Sequence, residues 1–476
     1  MTERACQARR AVDARQRSQL GPSWLLASVA LLGCGGDAPT GANAPAAESA
    51  ALSAPALQSE GPGEVDLSGA LAIELTPALR AILERVSPLP PPPPDPTNRV
   101  ADDPDAARYG QALFFDPRFS RDGTVACATC HDPAHGFTDG RSVAQAFGVG
   151  TRHTPTLWNV ALQRWLTWDG RADSLWMQAF DPLEDTREMD ATRAAVAQHI
   201  ARDPALRGAH EALFGPLPAA LSRSDLPARA RPARAGDPAD LPEVVAWRAL
   251  DEEARAAIDR VCVEVTKAIA AYQRLLVRGD APFDDFARGV LTGDPELVRA
   301  LEPAGQRGFA LFFGRANCAF CHSGPNFSDG EFHNNSLPTL DGGTPRDSGR
   351  YGGAAAVKAS PLNADGPHSD ERGGERALAV RLLRTSSETW GEFRTPSLRN
   401  LAHREPFMHQ GQFPDLDAVL DFYSTLEGQS GRNHHQERIL VPLHLTPEER
   451  ADLRAFLGAL EGAPAPPGLL AAPAGR

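Results

Sequence analysis

The stretches Cys127-Ala-Thr-Cys130-His131 and Cys318-Ala-Phe-Cys321-His322 decide the fold of this 476-residue chain. Both have the pattern C-x-x-C-H, in which two thiols lie about one helical turn apart and a histidine follows directly. This spacing suits two thioether bonds to the vinyl groups of a haem, with the adjacent histidine ligating the iron. A Cys₂His₂ zinc site or a redox C-x-x-C pair is the alternative for one match. Two such motifs, in a chain whose N-terminus has the features of an export signal described below, favour two covalently bound c-type haems.

The residues before each motif repeat as well. Gly110-Gln-Ala-Leu-Phe-Phe115 precedes the first motif, and Gly308-Phe-Ala-Leu-Phe-Phe313 precedes the second. Each stretch is typical of the end of an amphipathic helix that leads into a haem loop. A repeated unit with its own helix and motif indicates duplication of a cytochrome c module. We therefore predict a mainly α fold: two cytochrome c-like haem domains related by duplication, with long irregular loops.

Net charge and cysteine content limit the kinds of partner that the protein can bind and the roles that its cysteines can have. The formal net charge of −13 disfavours binding to nucleic acid or to an anionic membrane surface. Of the seven cysteines, four lie in the two haem motifs and two, Cys6 and Cys34, lie in the N-terminal leader. Cys262 falls on the apolar face of a predicted helix over residues 251–277 and is expected in the core. No set of cysteines is left for a structural disulfide framework.

The N-terminus has the features of an export signal. Five arginines precede the apolar run Trp24–Leu32, which is too short to span the ~30 Å of a bilayer as a helix but suits a secretory signal. The run closes on Leu31-Leu32-Gly33-Cys34, which resembles a bacterial lipobox. We predict a periplasmic protein whose only membrane contact is a lipid anchor at Cys34. The alternative is an ordinary signal peptide with an incidental cysteine.

The rest of the chain divides by composition and by the two motifs. The predicted segments are a lipoprotein signal peptide (1–33), an Ala/Pro-rich flexible stalk (34–97), the first haem domain (98–214), a Pro/Ala/Arg-rich exposed insertion (215–245), the second haem domain (246–465) and a frayed tail (466–476). Within the second domain, residues 341–392 are rich in Gly, Asp and Arg and are expected to form an irregular loop beside the second haem.

Five further stretches carry a family resemblance. They are Phe114-Phe-Asp-Pro-Arg-Phe-Ser-Arg-Asp-Gly123, His153-Thr-Pro-Thr156, Trp168-Asp-Gly-Arg171, Arg394-Thr-Pro-Ser-Leu-Arg-Asn400 and Pro406-Phe-Met-His-Gln-Gly411. Together with the haem motifs they resemble the bacterial di-haem cytochrome c peroxidase and MauG-like family, over roughly residues 105–460. The resemblance implies an enzyme that reacts with hydrogen peroxide at the first haem. It also implies that the second haem draws electrons from a protein donor or protein substrate.

The resemblance assigns His131 and His322 as the proximal iron ligands. Some peroxidases place a removable histidine in the loop after the first motif, but the corresponding residues 143–149 contain no histidine or methionine. A five-coordinate first iron is therefore expected, as in MauG-like enzymes. His153 is the alternative ligand, although its place before Thr154-Pro155 favours a structural role.

Three residues near the first motif match catalytic positions of the family. Glu188 matches the catalytic glutamate, Gln178 the distal glutamine, and Pro182 a distal-pocket residue of MauG-like members. A buried carboxylate can take a proton from peroxide and return it; the alternative for Glu188 is a solvated acid near a helix start. Trp168 matches the tryptophan between the haems, where an indole can relay an electron hole.

The sixth ligand of the second haem separates the subfamilies. By resemblance to the family, the position is Tyr423, where ordinary peroxidases carry methionine. An oxygen ligand favours oxidised iron, whereas a thioether favours ferrous iron. The alternative is a core tyrosine, with Met408 as the ligand. Calcium between the domains is left open, because His153 replaces the expected asparagine, while carbonyls near Arg404 and Pro406 remain.

Three functions follow from these residues. The leading prediction is MauG-like oxidation of a protein substrate by peroxide. The first alternative is an ordinary cytochrome c peroxidase that takes electrons from a small redox protein. The second is a non-catalytic di-haem electron-transfer cytochrome, which would need a strong sixth ligand on both irons.

Overall fold

The computed structural model describes residues 66–430 and 435–473. The predicted signal peptide, the anchor at Cys34, the stalk up to residue 65 and the last three residues of the tail lie outside this part of the chain. Within it the structure is helical, with one two-stranded antiparallel sheet, β1 (Phe332–His333) and β2 (Phe393–Arg394). None of these helices combines the length and the apolarity that crossing a bilayer requires.

Fifteen α-helices occur in the described residues. They are α1 Pro77–Val86, α2 Pro104–Phe114, α3 Cys127–Cys130, α4 Leu175–Glu184, α5 Arg193–Arg202, α6 Pro204–Phe214, α7 Pro242–Ala249, α8 Glu252–Gln273, α9 Pro282–Thr292, α10 Pro295–Val298, α11 Pro303–Phe313, α12 Arg350–Ala359, α13 Glu375–Leu382, α14 Leu416–Thr425 and α15 Pro447–Gly458. Eight of them, α1, α2, α6, α7, α9, α10, α11 and α15, have proline in their first turn, where its missing N–H costs no helical hydrogen bond.

The glycine that begins each repeated stretch lies at a helix crossing. A Cβ atom at Gly110 of α2 would lie 1.8 Å from the backbone oxygen of Ala268 in α8. A Cβ atom at Gly308 of α11 would lie 2.0 Å from the backbone oxygen of Asp452 in α15. Only glycine lets two backbones approach this closely. The same residue therefore serves the same purpose in both repeats, as duplication predicts.

The two crossings organise two apolar cores. The first contains α2, α4, α5 and α8; the second contains α9, α11 and α15, with Phe283, Phe309 and Phe456 in mutual ring contact. Helix α8 thus packs in the first core, although the sequence analysis assigned residues 246–465 to the second domain. The 3.6-residue periodicity of α8 showed that it has an apolar face, but not which core that face joins.

Three segments predicted to be flexible, irregular or frayed are packed. In the predicted stalk, Leu83 and Val86 of α1 are buried in the second core, and the Arg80 guanidinium donates to the carbonyl of Val290 at 2.8 Å. In the predicted tail, the carbonyl of Leu469 accepts a hydrogen bond from the Tyr272 hydroxyl at 2.6 Å. The region 341–392 contains α12 and α13, and Val357 is buried in the first core. Composition suggested flexible or irregular chain, but a few apolar or hydrogen-bonding residues are enough to hold each segment.

Candidate active site

The first C-x-x-C-H motif forms the short helix α3 and the turn after it. Thr129 Oγ1 accepts a hydrogen bond from the backbone N–H of Ala126 at 2.9 Å, which fixes the start of the helix. His131 Nδ1 donates to the carbonyl of Phe137 at 3.0 Å, so the lone pair of Nε2 is left for a metal. Burial lowers the pKa of His131, which keeps the ring neutral.

The second motif has the same arrangement. His322 Nδ1 donates to the carbonyl of Phe327 at 3.0 Å, and burial lowers the pKa of its ring. The cysteines of both motifs are free thiols and form no disulfide with one another. Each motif therefore presents two thiols and a neutral, oriented imidazole. This set fits a covalently attached haem.

A cavity of about 780 Å³ adjoins the second motif. Cys318, Cys321 and His322 form part of its wall, and so do both candidate sixth ligands, Met408 and Tyr423. The Tyr423 hydroxyl oxygen accepts a hydrogen bond from the side-chain amide of Asn335 at 3.0 Å. Burial raises the pKa of Tyr423, while this hydrogen bond opposes the rise. The fold thus brings Tyr423 to the cavity that His322 also borders.

Trp168 lies in the wall of the same cavity, although it comes from the first half of the chain. Its side chain is 9% exposed, and its indole N–H donates to the carbonyl of His153 at 2.8 Å. Its own carbonyl accepts from the backbone N–H of Arg394 in β2 at 2.8 Å. The ring contacts His409 edge to face, with centroids 6.4 Å apart. Trp168 is therefore held rigidly against residues of the second half.

The residues around His153 do not fit a calcium ion. His153 Nδ1 donates to the carbonyl of Arg141 at 2.6 Å, and burial lowers the pKa of the ring. The buried guanidinium of Arg404 donates to the carbonyls of Arg399 and Asn400, at 2.9 and 3.1 Å. The positive charge of Arg404 lies close enough to His153 to lower the pKa of that ring, and it would repel a second cation.

Glu188 follows helix α4 and lies near the first motif. Burial is the main cause that raises the pKa of Glu188, to about 7; the Arg171 charge opposes the rise and the Asp185 charge adds to it. The Glu188 charge in turn is the largest influence, after burial, that raises the pKa of the Cys130 thiol. A carboxyl group with a pKa near 7 can both accept and return a proton at neutral pH. The environment of Glu188 is that of a proton-transfer group.

Gln178 lies on helix α4 and borders a second cavity of about 320 Å³, together with Arg171 and Met177. Arg171 Nε donates to the Asp181 carboxylate at 3.0 Å. The Arg171 charge also lowers the pKa of Glu188. Arg171 therefore borders the same cavity as Gln178 and acts electrostatically on Glu188.

The sequence and the fold are similar to those of known di-haem proteins. The family model for di-haem cytochrome c peroxidase matches residues 104–292. The methylamine utilization protein MauG of Methylorubrum extorquens is 33% identical over 390 residues, which cover 82% of this chain and 86% of that protein. The chain belongs to the di-haem cytochrome c peroxidase family. It is therefore a di-haem oxidoreductase, and membership in the family implies two haem c groups.

Other members of the family extend the comparison. Cytochrome-c peroxidase IdrP1 of Pseudomonas sp. strain SCT is 29% identical, over 78% of this chain and 85% of that protein. The crystal structure of a MauG-like protein associated with microbial copper homeostasis is 27% identical and has a TM-score of 0.54. It covers 81% of this chain and 97% of that protein. The predicted family and the mainly helical fold are confirmed.

Sequence reasoning missed several residues near the second motif. Asn335 contacts Tyr423 across 88 positions of the chain. His333 in β1 is bound through Nε2 to Asp329 at 2.9 Å and through Nδ1 to Glu437 at 3.1 Å, which raises its pKa to about 11, with Asp329 the largest cause. No local motif pairs Asn335 with Tyr423 or His333 with Glu437, because the chain brings these distant partners together only on folding.

Proposed function

We propose that this chain is a MauG-like di-haem enzyme that uses hydrogen peroxide to oxidise a protein at its surface. The observation that carries the proposal is the Tyr423 hydroxyl, which borders the same cavity as His322 and accepts a hydrogen bond from Asn335. A phenolate oxygen favours oxidised iron over ferrous iron. A second site of this kind is suited to share oxidising equivalents rather than to admit electrons at high potential.

A haem held by Cys127, Cys130 and His131 would supply the iron chemistry that cleaves the peroxide O–O bond. Glu188 serves as the proton carrier: its carboxylate takes a proton from one peroxide oxygen and returns it to the oxygen that departs. A pKa of about 7 keeps both forms of the carboxyl group populated near neutral pH. Gln178, on helix α4, offers an amide that can orient the peroxide by hydrogen bonding.

Trp168 is proposed to carry electrons between the two sites. It is buried, fixed at its N–H by the carbonyl of His153, and borders the cavity of the second motif. An indole held this rigidly can give up and regain an electron with little rearrangement of its surroundings. The electrons come from a protein donor or substrate that docks from outside. We also propose that the protein is exported to the periplasm and anchored by lipid at Cys34.

An ordinary cytochrome c peroxidase is the second candidate. Met408 borders the same cavity as Tyr423, so the cavity also offers a thioether. The relative IdrP1 is named as a cytochrome-c peroxidase. In this case the second haem would accept electrons at high potential from a small redox protein, and turnover would end with the reduction of peroxide to water. The non-catalytic alternative is disfavoured by the raised pKa of Glu188 beside the first motif.

Electron paramagnetic resonance of the oxidised protein separates these candidates, with Tyr423→Met and Met408→Leu as a matched pair. We expect one high-spin and one low-spin ferric signal in the wild type. Tyr423→Met should change the low-spin signal, and Met408→Leu should leave it as it is. The reverse pattern would make the chain an ordinary peroxidase. Two low-spin signals in the wild type would contradict a five-coordinate first iron.

A further inference from the structure

The cavity beside the second motif has a positively charged wall. Among the described residues that line it, one is acidic, Asp347, and Arg152 binds that carboxylate at 2.7 Å. The arginines of the same wall are Arg315, Arg346, Arg394 and Arg404. Of these, Arg315 is paired with Glu449, and Arg346 is exposed to solvent. The other two arginines are buried and have no acidic partner in the wall.

Neither Arg394 nor Arg404 forms an ion pair with a carboxylate of the described residues. Arg394 is 4% exposed, and its guanidinium donates to the carbonyls of Thr167 and Thr395, at 3.3 and 3.0 Å. Arg404 is 8% exposed and donates to backbone carbonyls through Nη1, whereas its buried Nε has no hydrogen-bond partner among these residues. Burial lowers the pKa of both side chains to about 10, and the Arg404 charge adds to the effect on Arg394.

Arg399, in the same stretch of chain, shows how a buried arginine can be satisfied. Its Nη1 and Nη2 atoms each lie 2.8 Å from one oxygen of the Asp284 carboxylate. A buried guanidinium without such a partner is costly, because it loses its water and gains no opposite charge. The charges of Arg394 and Arg404 therefore call for an anion inside the cavity.

The two halves of the chain differ at the position of Arg394. His153-Thr-Pro-Thr-Leu-Trp-Asn159 and Arg394-Thr-Pro-Ser-Leu-Arg-Asn400 share the pattern x-T-P-x-L-x-N. Asn159 and Asn400 both have a φ of 59°, and the side-chain amide of each donates to the carbonyl of Arg278 at 3.1 Å. The two stretches are thus equivalent in structure. Arg394 holds in the second half the place of His153, whose pKa burial lowers, so the fixed positive charge belongs to the second half alone.

A haem at the second motif brings anions that match these arginines. Cys318, Cys321 and His322 lie in the wall of the same cavity, and this set fits a covalently attached haem. A haem carries two propionate groups, one carboxylate for each unpaired guanidinium. Pairs of guanidinium and carboxylate form strong charge-assisted hydrogen bonds, which suit a site that is shielded from water. The number, the sign and the place of the charges therefore agree.

We propose that Arg394 and Arg404 bind the propionate groups of the second haem and, through their charge, raise the reduction potential of that haem. A positive charge near the iron favours the ferrous form, which carries one positive charge less than the ferric form. The inference goes beyond the proposed function, because it applies whether Tyr423 or Met408 is the sixth ligand. With Tyr423 as the ligand, the two arginines offset part of the preference for oxidised iron that a phenolate oxygen imposes.

The test is a redox titration of the haem-loaded protein, followed by electron paramagnetic resonance. The ferric signal that changes in Tyr423→Met or in Met408→Leu identifies the second haem. Arg394→Met and Arg404→Met should each shift its ferric-to-ferrous ratio at a fixed potential about tenfold toward ferric, which lowers the midpoint by about 59 mV. Arg394→Lys and Arg404→Lys keep the charge and should stay within about threefold of wild type. Arg346→Met, in the same wall but exposed, is the control and should stay within about twofold.

Resonance Raman spectroscopy detects the contact itself, because the bending bands of haem propionates respond to hydrogen bonding. These bands should shift in Arg394→Met and in Arg404→Met and should stay unchanged in Arg346→Met. Arg394 lies in β2, whereas Arg404 lies outside the strands and helices. The Arg404 variants therefore carry the test if a change in β2 prevents the protein from maturing.

Four results would overturn the inference. The first is a wild-type potential in both methionine variants. The second is an equal shift in the lysine and methionine variants, since the bonds to backbone carbonyls would then matter and the charge would not. The third is a set of propionate bands that neither methionine variant changes. The fourth is a wild-type potential that depends on added phosphate, which would assign the arginines to a free anion. Each of these results leaves the proposed function standing, because none concerns the first iron or the sixth ligand of the second.

Discussion

Replacing Glu188 with glutamine should stabilise the protein above neutral pH and at the same time abolish its rapid reaction with peroxide. Burial raises the pKa of this carboxyl group to about 7, from an ordinary value of 4.5. A difference of this size corresponds to a penalty of about 3 kcal/mol for the charged form in the folded protein. Glutamine has nearly the same shape and carries no charge, so it avoids the penalty.

The sign of the pH dependence follows from the raised pKa. Between about pH 4.5 and pH 7 the folded protein holds a proton at Glu188 that the unfolded chain has lost, so stability falls as pH rises through this interval. Below it, Glu188 and its glutamine replacement are both neutral. We therefore expect the free energy of unfolding of Glu188→Gln, relative to wild type, to increase by about 3 kcal/mol between pH 4.5 and pH 8.

Urea unfolding of the haem-loaded protein at pH 5 and pH 8 measures this difference, and stopped-flow mixing with peroxide measures the reaction. The rate constant for peroxide should fall by a factor of about 10² to 10⁴, the usual contribution of a proton-transfer group. Glu84→Gln, an exposed carboxylate on α1, is the control and should change neither quantity. An equal stability difference at both pH values, or a wild-type rate with peroxide, would refute the reasoning.

Two further predictions test the fold and the connection between the sites. Gly308→Ala should lower the free energy of unfolding by roughly 1–3 kcal/mol, because the added methyl group would meet the backbone oxygen of Asp452 at 2.0 Å. Gly458→Ala on α15, where the space is open, is the control and should not destabilise the protein. Equal losses of stability in urea unfolding would contradict the close crossing of α11 and α15. Trp168→Phe should slow oxidation of the external protein at least tenfold and leave cyanide binding at the first site within twofold; unchanged oxidation would remove Trp168 from the proposed path.

The sequence specified the parts of this protein that depend on consecutive residues. Cys127, Cys130 and His131 are close in the chain, so their spacing alone predicts one haem site, and the second motif repeats it. The stretches that begin at Gly110 and Gly308 predicted the duplication, and the structure adds the reason for each glycine. Thr446-Pro-Glu-Glu449 is likewise a local pattern, and it forms a capping box at the start of α15.

Only the tertiary structure decided how these parts are arranged. The periodicity of α8 did not reveal which core it joins, and the composition of residues 77–97 and 466–473 concealed the few apolar and hydrogen-bonding groups that hold them. The pKa of Glu188 depends on burial and on charges from several segments, which no local pattern encodes. The cavity beside Gln178 forms from three stretches far apart in the chain. Local spacing fixes covalent chemistry, whereas burial, charge and enclosed space arise only when distant residues pack together.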